Sequence, residues 1–269
     1  MRSILRPIDL FKPHLRPRLV IIGAQKAGTS SLYAILRHHP KVLAPRIKEQ
    51  HFFDDDLNYA KGLAHYWAQF PKRPFRQPDM ITFEATPSYL FKAGTVAPRL
   101  KAALPDAFLL VILRDPVKRA YSGWNMYRSF KDHPKFGHLY DERDFEQAIH
   151  DELEGRRTFP GDYLSRGHYA QQLAIYFQHY PRERILVHDF VQLKRDPRSL
   201  MAKICHAIGI PVMRHDHFVL GVKANARVYS GSMDRAMEDL LYSYYAPELD
   251  RLEMLLGRRL GLDERNNRA

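Results

Sequence analysis

The feature that most constrains this chain is a short glycine loop between an apolar strand and a helix. Residues 18–22 (RLVII) read as a buried strand that runs into Gly23-Ala24-Gln25-Lys26-Ala27-Gly28-Thr29-Ser30-Ser31, and residues 29–39 then carry helical spacing. A buried strand turning directly into a helix is the unit of a parallel sheet covered by helices. The loop itself suits an anion. Glycines let the backbone bend close to a phosphate, the helix N-terminus presents N–H groups, and a lysine adds full charge. The strict triphosphate pattern places a lysine directly after the second glycine. Here Thr29 stands there, and Lys26 lies two residues before that glycine, so it reaches across the loop. An ordinary glycine-containing turn is the bland alternative.

The rest of the chain continues the alternation. Residues 80–84 (MITFE), 108–113 (FLLVIL) and 184–188 (RILVH) read as strands. Residues 116–130 read as a helix capped by Asp115 with Pro116 at its first position. Further helices are expected over 167–180, from Asp196 and Pro197 to Ile208, and over 233–256 with a break near Pro247. The expectation is an α/β fold: a single domain over 1–269 with a central parallel sheet flanked by helices. Residues 1–17 form an N-terminal extension and 263–269 (DERNNRA) a polar tail.

Composition narrows the classes. A hydrophobic content of 45% excludes a mostly disordered chain. The apolar stretch 108–113 is far shorter than the roughly 20 residues of a membrane span. The arginine- and proline-bearing start lacks the apolar centre of a secretion signal. One cysteine, Cys205, rules out an internal disulfide framework and a cysteine-based zinc cluster. A cytoplasmic location is the simplest expectation. The histidines show no metal-ligand spacing; His38, His39, His215 and His217 read as exposed-loop residues. The charge is a positive clue: Lys and Arg outnumber Asp and Glu by 42 to 30, a net +12. That surplus favours phosphates, nucleic acid, anionic lipid or acidic polysaccharide without choosing among them.

Two further segments carry chemistry. Arg114 follows the 108–113 strand, where open α/β sheets place ligand contacts. Its planar fork suits a phosphate dianion, and Ser122 lies about two helical turns on. Residues 47–54 read I-K-E-Q-H-F-F-D. If extended, they set Glu49 and His51 on one side and Lys48 and Gln50 on the other. Phe52 and Phe53 suit core packing, and a plain surface pair of Lys48 with Glu49 is the competing reading.

These motifs resemble those of sulfotransferases that use 3′-phosphoadenosine 5′-phosphosulfate (PAPS), in particular the heparan-sulfate N- and 3-O-sulfotransferase branch. G-A-Q-K-A-G-T-S-S-L-Y is similar to the family's 5′-phosphosulfate loop, which is P-loop-like. The resemblance implies donor contacts from Lys26, Ala27, Gly28, Thr29, Ser30 and Ser31, with Lys26 also stabilising charge on the leaving phosphate. L-R-D-P-x-x-R-A-Y-S resembles the 3′-phosphate motif, with Arg114 and Ser122 as its pair. Residues 218–232 fall where the family closes a loop over the nucleotide, implying Lys223, Arg227 and Tyr229 as contacts.

K-E-x-H-F-F-D implies Glu49 as general base, His51 as its orienting or proton-sharing neighbour, and Lys48 as a sulfonate or substrate contact. Residues 83–91 resemble an E-K-[ST]-x-x-Y-F segment. Ala85 stands where several relatives carry lysine, while Glu84 remains as a substrate contact or alternative base. His168 and Tyr169 are implied to line the acceptor cleft, and the family's paired cysteines are absent. The resemblance spans about residues 18 to 232.

The implied activity moves a sulfonate from PAPS to a hydroxyl or amine and releases adenosine 3′,5′-bisphosphate. Lysines and helix N–H groups take the charge that a metal would otherwise neutralise. The implied acceptor is a carbohydrate, with an acidic glycan suited to the basic surplus; nucleic acid is not an expected partner. Two alternatives stand beside it. A P-loop kinase needs a lysine after Gly28 and an aspartate ending an apolar strand, where Thr29 and Arg114 stand instead. A non-enzymatic polyanion binder explains the charge but gives the loop, Arg114, Ser122 and Glu49 no role.

Overall fold

The apolar runs of the sequence are the strands of one sheet. In the computed structural model, which describes residues 13–156, 160–213 and 231–263, β1 (Pro17–Gly23) lies at the centre. β2 (Val42–Leu43), β3 (Ile81–Ala85), β4 (Phe108–Leu113) and β5 (Ile185–Asp189) complete it in the order β2-β3-β1-β4-β5. Every pairing is parallel; Ile21 stands beside Ala85, Gly23 beside Val111, and Leu113 beside Asp189.

Parallel sheets covered on both faces need apolar residues on both sides of each strand. Leu109, Leu110, Val111, Ile112 and Leu113 of β4 are accordingly all fully buried. Their side chains together stabilise the fold by roughly 8–15 kcal/mol before conformational entropy is charged against it.

The covering helices are α1 (Thr29–Leu36), α2 (Asp56–Tyr59), α3 (Gly62–Trp67), α4 (Ser88–Phe91), α5 (Ala93–Ala103) and α6 (Pro116–Arg128). α7 (Phe145–Leu153), α8 (Tyr169–His179), α9 (Phe190–Arg195), α10 (Pro197–Ile208) and α11 (Arg235–Leu256) follow. Aspartate side chains cap α6, α7, α9, α10 and α11, each accepting from backbone N–H groups of the first turn. Asp115 does more: Oδ1 accepts from the N–H of Val117 and Lys118, and Oδ2 accepts the Tyr242 hydroxyl at 2.6 Å. One carboxylate thus starts α6 and ties it to α11.

The main apolar cluster surrounds the sheet; a second joins α6, α7 and α11 through Val117, Ile149, Leu241 and Tyr245. Among the described residues, no helix is long and apolar enough to cross a membrane.

The expected alternation of strands and helices is present, with two corrections. α11 is one helix that runs through Pro247 rather than breaking there. Pro247 and Ser243, whose carbonyl loses its intrahelical N–H partner, are both exposed, so water can satisfy that oxygen. Tyr242, Tyr245, Glu248 and Leu252 anchor the buried face on either side. His39 is buried rather than exposed. Its Nε2 lies 2.9 Å from the Pro211 carbonyl, and its Nδ1 accepts from the Lys41 N–H at 3.0 Å. His215 and His217 lie outside the described residues.

Topology sets the site's position. From β1 the chain moves to β2 and β3 on one side, then crosses to β4 and β5 on the other. In open α/β sheets the crevice at such a reversal, at the carboxyl ends of the strands, is where ligands bind. The glycine loop, residues 84–88, Arg114 and Phe190 all leave the sheet at that edge.

Candidate active site

At the end of β1 the backbone has almost no room for side chains. A Cβ on Gly23 would lie 2.6 Å from Leu90 Cβ, so only glycine fits beneath α4. Lys26 and Gly28 both take positive φ, 68° and 84°, and curl the loop back on itself. A Cβ on Gly28 would also meet the Phe190 ring at 2.7 Å. Gly28 is the N-cap of α1 without a side-chain cap, and the first turn holds no acidic residue. The N-terminal partial charge of α1 is therefore not offset locally, as an anion cradle requires. Lys26, Ser30 and Ser31 are half-buried around this turn, and Thr29 is buried. Ala27 is sealed in the core, and its N–H donates to the Ala24 carbonyl at 3.2 Å. It shapes the loop from inside.

Arg114 comes to the same place from β4. Its Nη1 donates to the Lys26 carbonyl at 3.0 Å, its guanidinium lies 5.2 Å from the Phe190 ring centre, and its Nε is buried without a partner. The Tyr169 hydroxyl donates to the Arg114 carbonyl at 3.0 Å. Ser122 is buried on α6 two turns on. Beside it, the Tyr121 hydroxyl donates to the Gly231 carbonyl at 3.0 Å. Lys223, Arg227 and Tyr229 lie outside the described residues.

The 47–54 segment approaches from the β3 side, and it is not extended. Glu49 and His51 have φ of 58° and 49°, so the expected split of alternate side chains onto opposite sides gives way. Lys48 and Glu49 meet instead: Lys48 Nζ donates to Glu49 Oε1 at 2.7 Å and to Ser30 Oγ at 2.8 Å. The pair is a surface pair in part, yet its lysine also reaches the first turn of the helix that follows the glycine loop. His51 Nδ1 lies 2.9 Å from Asp54 Oδ2, which also accepts from Ser88 Oγ at 2.5 Å. The hydrogen bond to Asp54 holds the His51 imidazole above its ordinary pKa. Burial pulls the Asp54 carboxyl upward, but the bonds from His51 and Ser88 outweigh it and leave Asp54 below its ordinary value. Lys92 Nζ closes the group, donating to the Asp54 carbonyl at 2.7 Å.

β3 braces this segment. The Glu49 N–H donates to the Ala85 carbonyl at 3.1 Å. Tyr89 Oη accepts from the N–H groups of Phe52 and Phe53 at 3.2 and 3.3 Å and donates to Glu84 Oε1 at 2.7 Å. Glu84 Oε1 also accepts from Thr86 Oγ1 at 3.0 Å, and its other oxygen from Tyr66. Burial raises the Glu84 pKa despite these three hydroxyls.

The expectation that Glu84 contacts substrate or serves as an alternative base is therefore corrected. It is fully buried and saturated, and it acts as the floor under residues 52 and 53. Tyr169 is corrected likewise: it is fully buried beneath Arg114 and lines no cleft. His168 sits instead in a groove between α8 and α11, with Nε2 2.9 Å from the Tyr244 hydroxyl. Phe52 and Phe53 are core residues as expected.

The structure thus brings together Lys26, Ser30, Lys48, Glu49 and Arg114, with His51 in the same loop. Asp54, Ser88, Tyr89 and Lys92 escaped the sequence reading as participants. Asp54 had a signal, three residues after His51 in the motif. Ser88 and Tyr89 lie in the 83–91 segment already set apart by its resemblance, but nothing local shows that they reach back more than 30 residues to Asp54 and to residues 52 and 53; Lys92, 38 residues from Asp54, carries no signal.

Among the described residues, no group of three or more His, Cys, Asp or Glu is arranged to hold a metal ion. The chain matches the family described as "Sulfotransferase domain" over residues 16–228. It is 32% identical over 204 residues to heparan sulfate glucosamine 3-O-sulfotransferase 3B1 of Homo sapiens, covering 75% of this chain and 48% of that protein. It is 30% identical over 200 residues to the human bifunctional heparan sulfate N-deacetylase/N-sulfotransferase 3, covering 72% and 22%. The chain therefore spans about half the length of the first of these relatives, and less of the second. A crystal structure of a sulfotransferase from Alicyclobacillus acidocaldarius shares the fold with a TM-score of 0.71 and 28% identity, over 91% of this chain and 97% of that one. With the glycine loop, the arginine after β4 and the K-E-x-H-F-F-D segment gathered on one sheet edge, and a match running from residue 16 to 228, the chain belongs to the sulfotransferase domain family.

Proposed function

We propose that this chain transfers a sulfonate group from PAPS to a hydroxyl or amine of a carbohydrate, releasing adenosine 3′,5′-bisphosphate. The observation that carries the reading is the bond from Arg114 Nη1 to the Lys26 carbonyl, which holds the two candidate phosphate readers side by side. The site fits such a donor by its own chemistry. The N-terminus of α1 lacks a side-chain cap, Arg114 Nε is buried without a partner, and Gly28 in a left-handed conformation bends the loop at that N-terminus.

Lys26, Gly28, Thr29, Ser30 and Ser31 would hold the 5′ end of the nucleotide, and Arg114 with Ser122 the 3′-phosphate. Lys223, Arg227 and Tyr229 would close over it. PAPS supplies a sulfonate already joined to a phosphate leaving group. Lys26 and the α1 N–H groups stabilise the charge that collects on that phosphate. Glu49 takes the proton from the acceptor, and Lys48, bonded to both Glu49 and Ser30, keeps the carboxylate beside the phosphate loop. Asp54 and Ser88 hold the His51 ring next to Glu49. A carbohydrate acceptor is supported by the named substrates of the relatives, and an acidic one by the net charge of +12.

Calorimetry tests the donor half: adenosine 3′,5′-bisphosphate should bind without magnesium, and ATP should compete poorly. Far better binding of magnesium-ATP would replace this reading with a kinase. Transfer of radiolabelled sulfate from PAPS to a panel of glycans, lipid-linked sugars, small molecules and tyrosine peptides tests the acceptor half.

A further inference from the structure

Half of the exposed large apolar side chains among the described residues, Ile47, Leu57, Leu63 and Phe75, fall within one stretch of 29 residues. Scattered singly, such side chains need no explanation; gathered, they mark a surface that meets something apolar. Phe75 is 82% exposed, in the proline-cornered loop P-K-R-P-F-R-Q-P (71–78) that leads into β3.

Contacts join the parts of this surface. Leu63 and the half-buried Trp67 are four residues apart on α3 and share a face, and the Arg16 guanidinium lies 5.1 Å from the Trp67 ring centre. Arg46, next to Ile47, donates its N–H to the Gln69 carbonyl at 2.9 Å. His14 Nδ1 lies 2.6 Å from the Phe70 carbonyl, and the Arg73 N–H donates to the Pro13 carbonyl at 3.1 Å. α3, residues 46–47 and the 71–76 loop therefore form one face on the side of the sheet that ends in β2.

The face is also basic. Residues 57–78 hold no Asp or Glu, although 30 in 269 would place about two there. They hold Lys61, Lys72, Arg73 and Arg76, and Arg16 and Arg46 join them from the neighbouring segments. Asp79, next along the chain, is paired with Lys41. Cations alone would suit any polyanion, but a soluble polyanion gains nothing from an exposed phenylalanine and leucine. The headgroup region of a bilayer takes both: basic side chains meet its anionic phosphates, while aromatic and apolar ones enter the acyl boundary. Among the described residues no helix is long and apolar enough to cross a membrane, so the contact is with the surface.

We propose that this face docks on an anionic lipid bilayer, with Leu63 and Phe75 entering the acyl boundary and Lys72, Arg73 and Arg76 on the lipid phosphates. Ile47 directly precedes Lys48 and Glu49, so docking sets the 47–54 segment beside the headgroups. The docking does not depend on the sulfotransferase reading.

The test sediments the full chain with vesicles of phosphatidylglycerol and phosphatidylcholine in equal parts, beside vesicles of phosphatidylcholine alone. The protein should follow the anionic vesicles, and less so as salt rises. Phe75→Ser should weaken binding at least about tenfold, and Arg73→Gln with Arg76→Gln about 25-fold, at about fivefold for each basic side chain. All three side chains are exposed, so thermal melts should not change. Arg182→Gln with Arg184→Gln removes the same charge just before β5, at the other edge of the sheet, and should leave vesicle binding nearly intact. Protein left in solution with the anionic vesicles, equal losses from the two arginine pairs, or no loss from Phe75→Ser overturns the proposal. Dextran sulfate that binds through Arg73 and Arg76 while vesicles do not bind also overturns it, and makes the face a reader of soluble polyanions.

Discussion

Replacing Tyr89 by phenylalanine removes one oxygen from the centre of the brace under the 47–54 loop. That hydroxyl donates to Glu84 Oε1 at 2.7 Å and accepts the N–H groups of Phe52 and Phe53. Loss of a hydrogen bond to a charged group costs about 1.5–3 kcal/mol, and leaving buried N–H groups without a partner about 1–3 kcal/mol more. The ring itself stays packed against Phe53 at 5.8 Å, so no sizeable cavity opens. The sum is about 2.5–6 kcal/mol. At about 2.1 cal/mol/K of unfolding entropy per residue, a chain of 269 residues should lose about 4–11 °C in Tm.

The same two N–H groups follow Glu49 and His51, whose left-handed backbone is held only by its surroundings. Loosening them should lower kcat by about 10- to 100-fold, as small misplacements of reacting groups do. Affinity for adenosine 3′,5′-bisphosphate should be unchanged, because the phosphate loop hangs from β1. Scanning calorimetry and sulfate-transfer kinetics read both effects. A Tm within about 1 °C of the parent with kcat intact, where the hydrogen-bond arithmetic requires a loss, would refute the brace. Equal losses in kcat and nucleotide affinity would make Tyr89 a general packing residue.

Asp54→Asn removes the partner that holds the His51 pKa up, so the His51 limb of the pH–rate profile should move to lower pH. In the parent, the pair's contribution to stability should fade as pH rises through the raised His51 pKa and as it falls through the lowered Asp54 pKa; thermal melts across pH check both limbs. Gly28→Ala puts a Cβ into a left-handed position 2.7 Å from the Phe190 ring. It should cost about 1–3 kcal/mol in stability and weaken nucleotide binding, measured by melting and calorimetry. Glu49→Gln should abolish sulfate transfer while leaving bisphosphate binding intact; retained turnover would move the base to His51. Arg114→Ala should weaken adenosine 3′,5′-bisphosphate far more than adenosine 5′-phosphate, and equal losses would remove Arg114 from the 3′-phosphate.

The central strands and the helices that follow β1 and β4 could be read directly, because a strand buried on both faces must be apolar at every position. Asp115-Pro116 announced the start of α6 for an equally local reason: a carboxylate cap followed by a residue with no N–H to satisfy. α11 was misread at Pro247 because what a proline costs a helix depends on whether water reaches the freed carbonyl. β2, with two residues, and the four-residue α2 and α4 are too short to leave a periodic pattern.

Residue types and their order along the chain determined that a tight glycine loop follows β1, that an arginine stands at the end of β4, and that a glutamate and a histidine share one short segment. Those are local facts, set by glycine's backbone freedom, by apolar runs and by fixed charges. Only the tertiary structure decided which groups meet. It closed Glu84 off under Tyr89, turned Lys48 toward both Ser30 and Glu49, and set Ser88 and Lys92 on Asp54. The reason is distance along the chain. Contacts between residues tens of positions apart depend on how whole elements pack, and no local pattern of side chains encodes that.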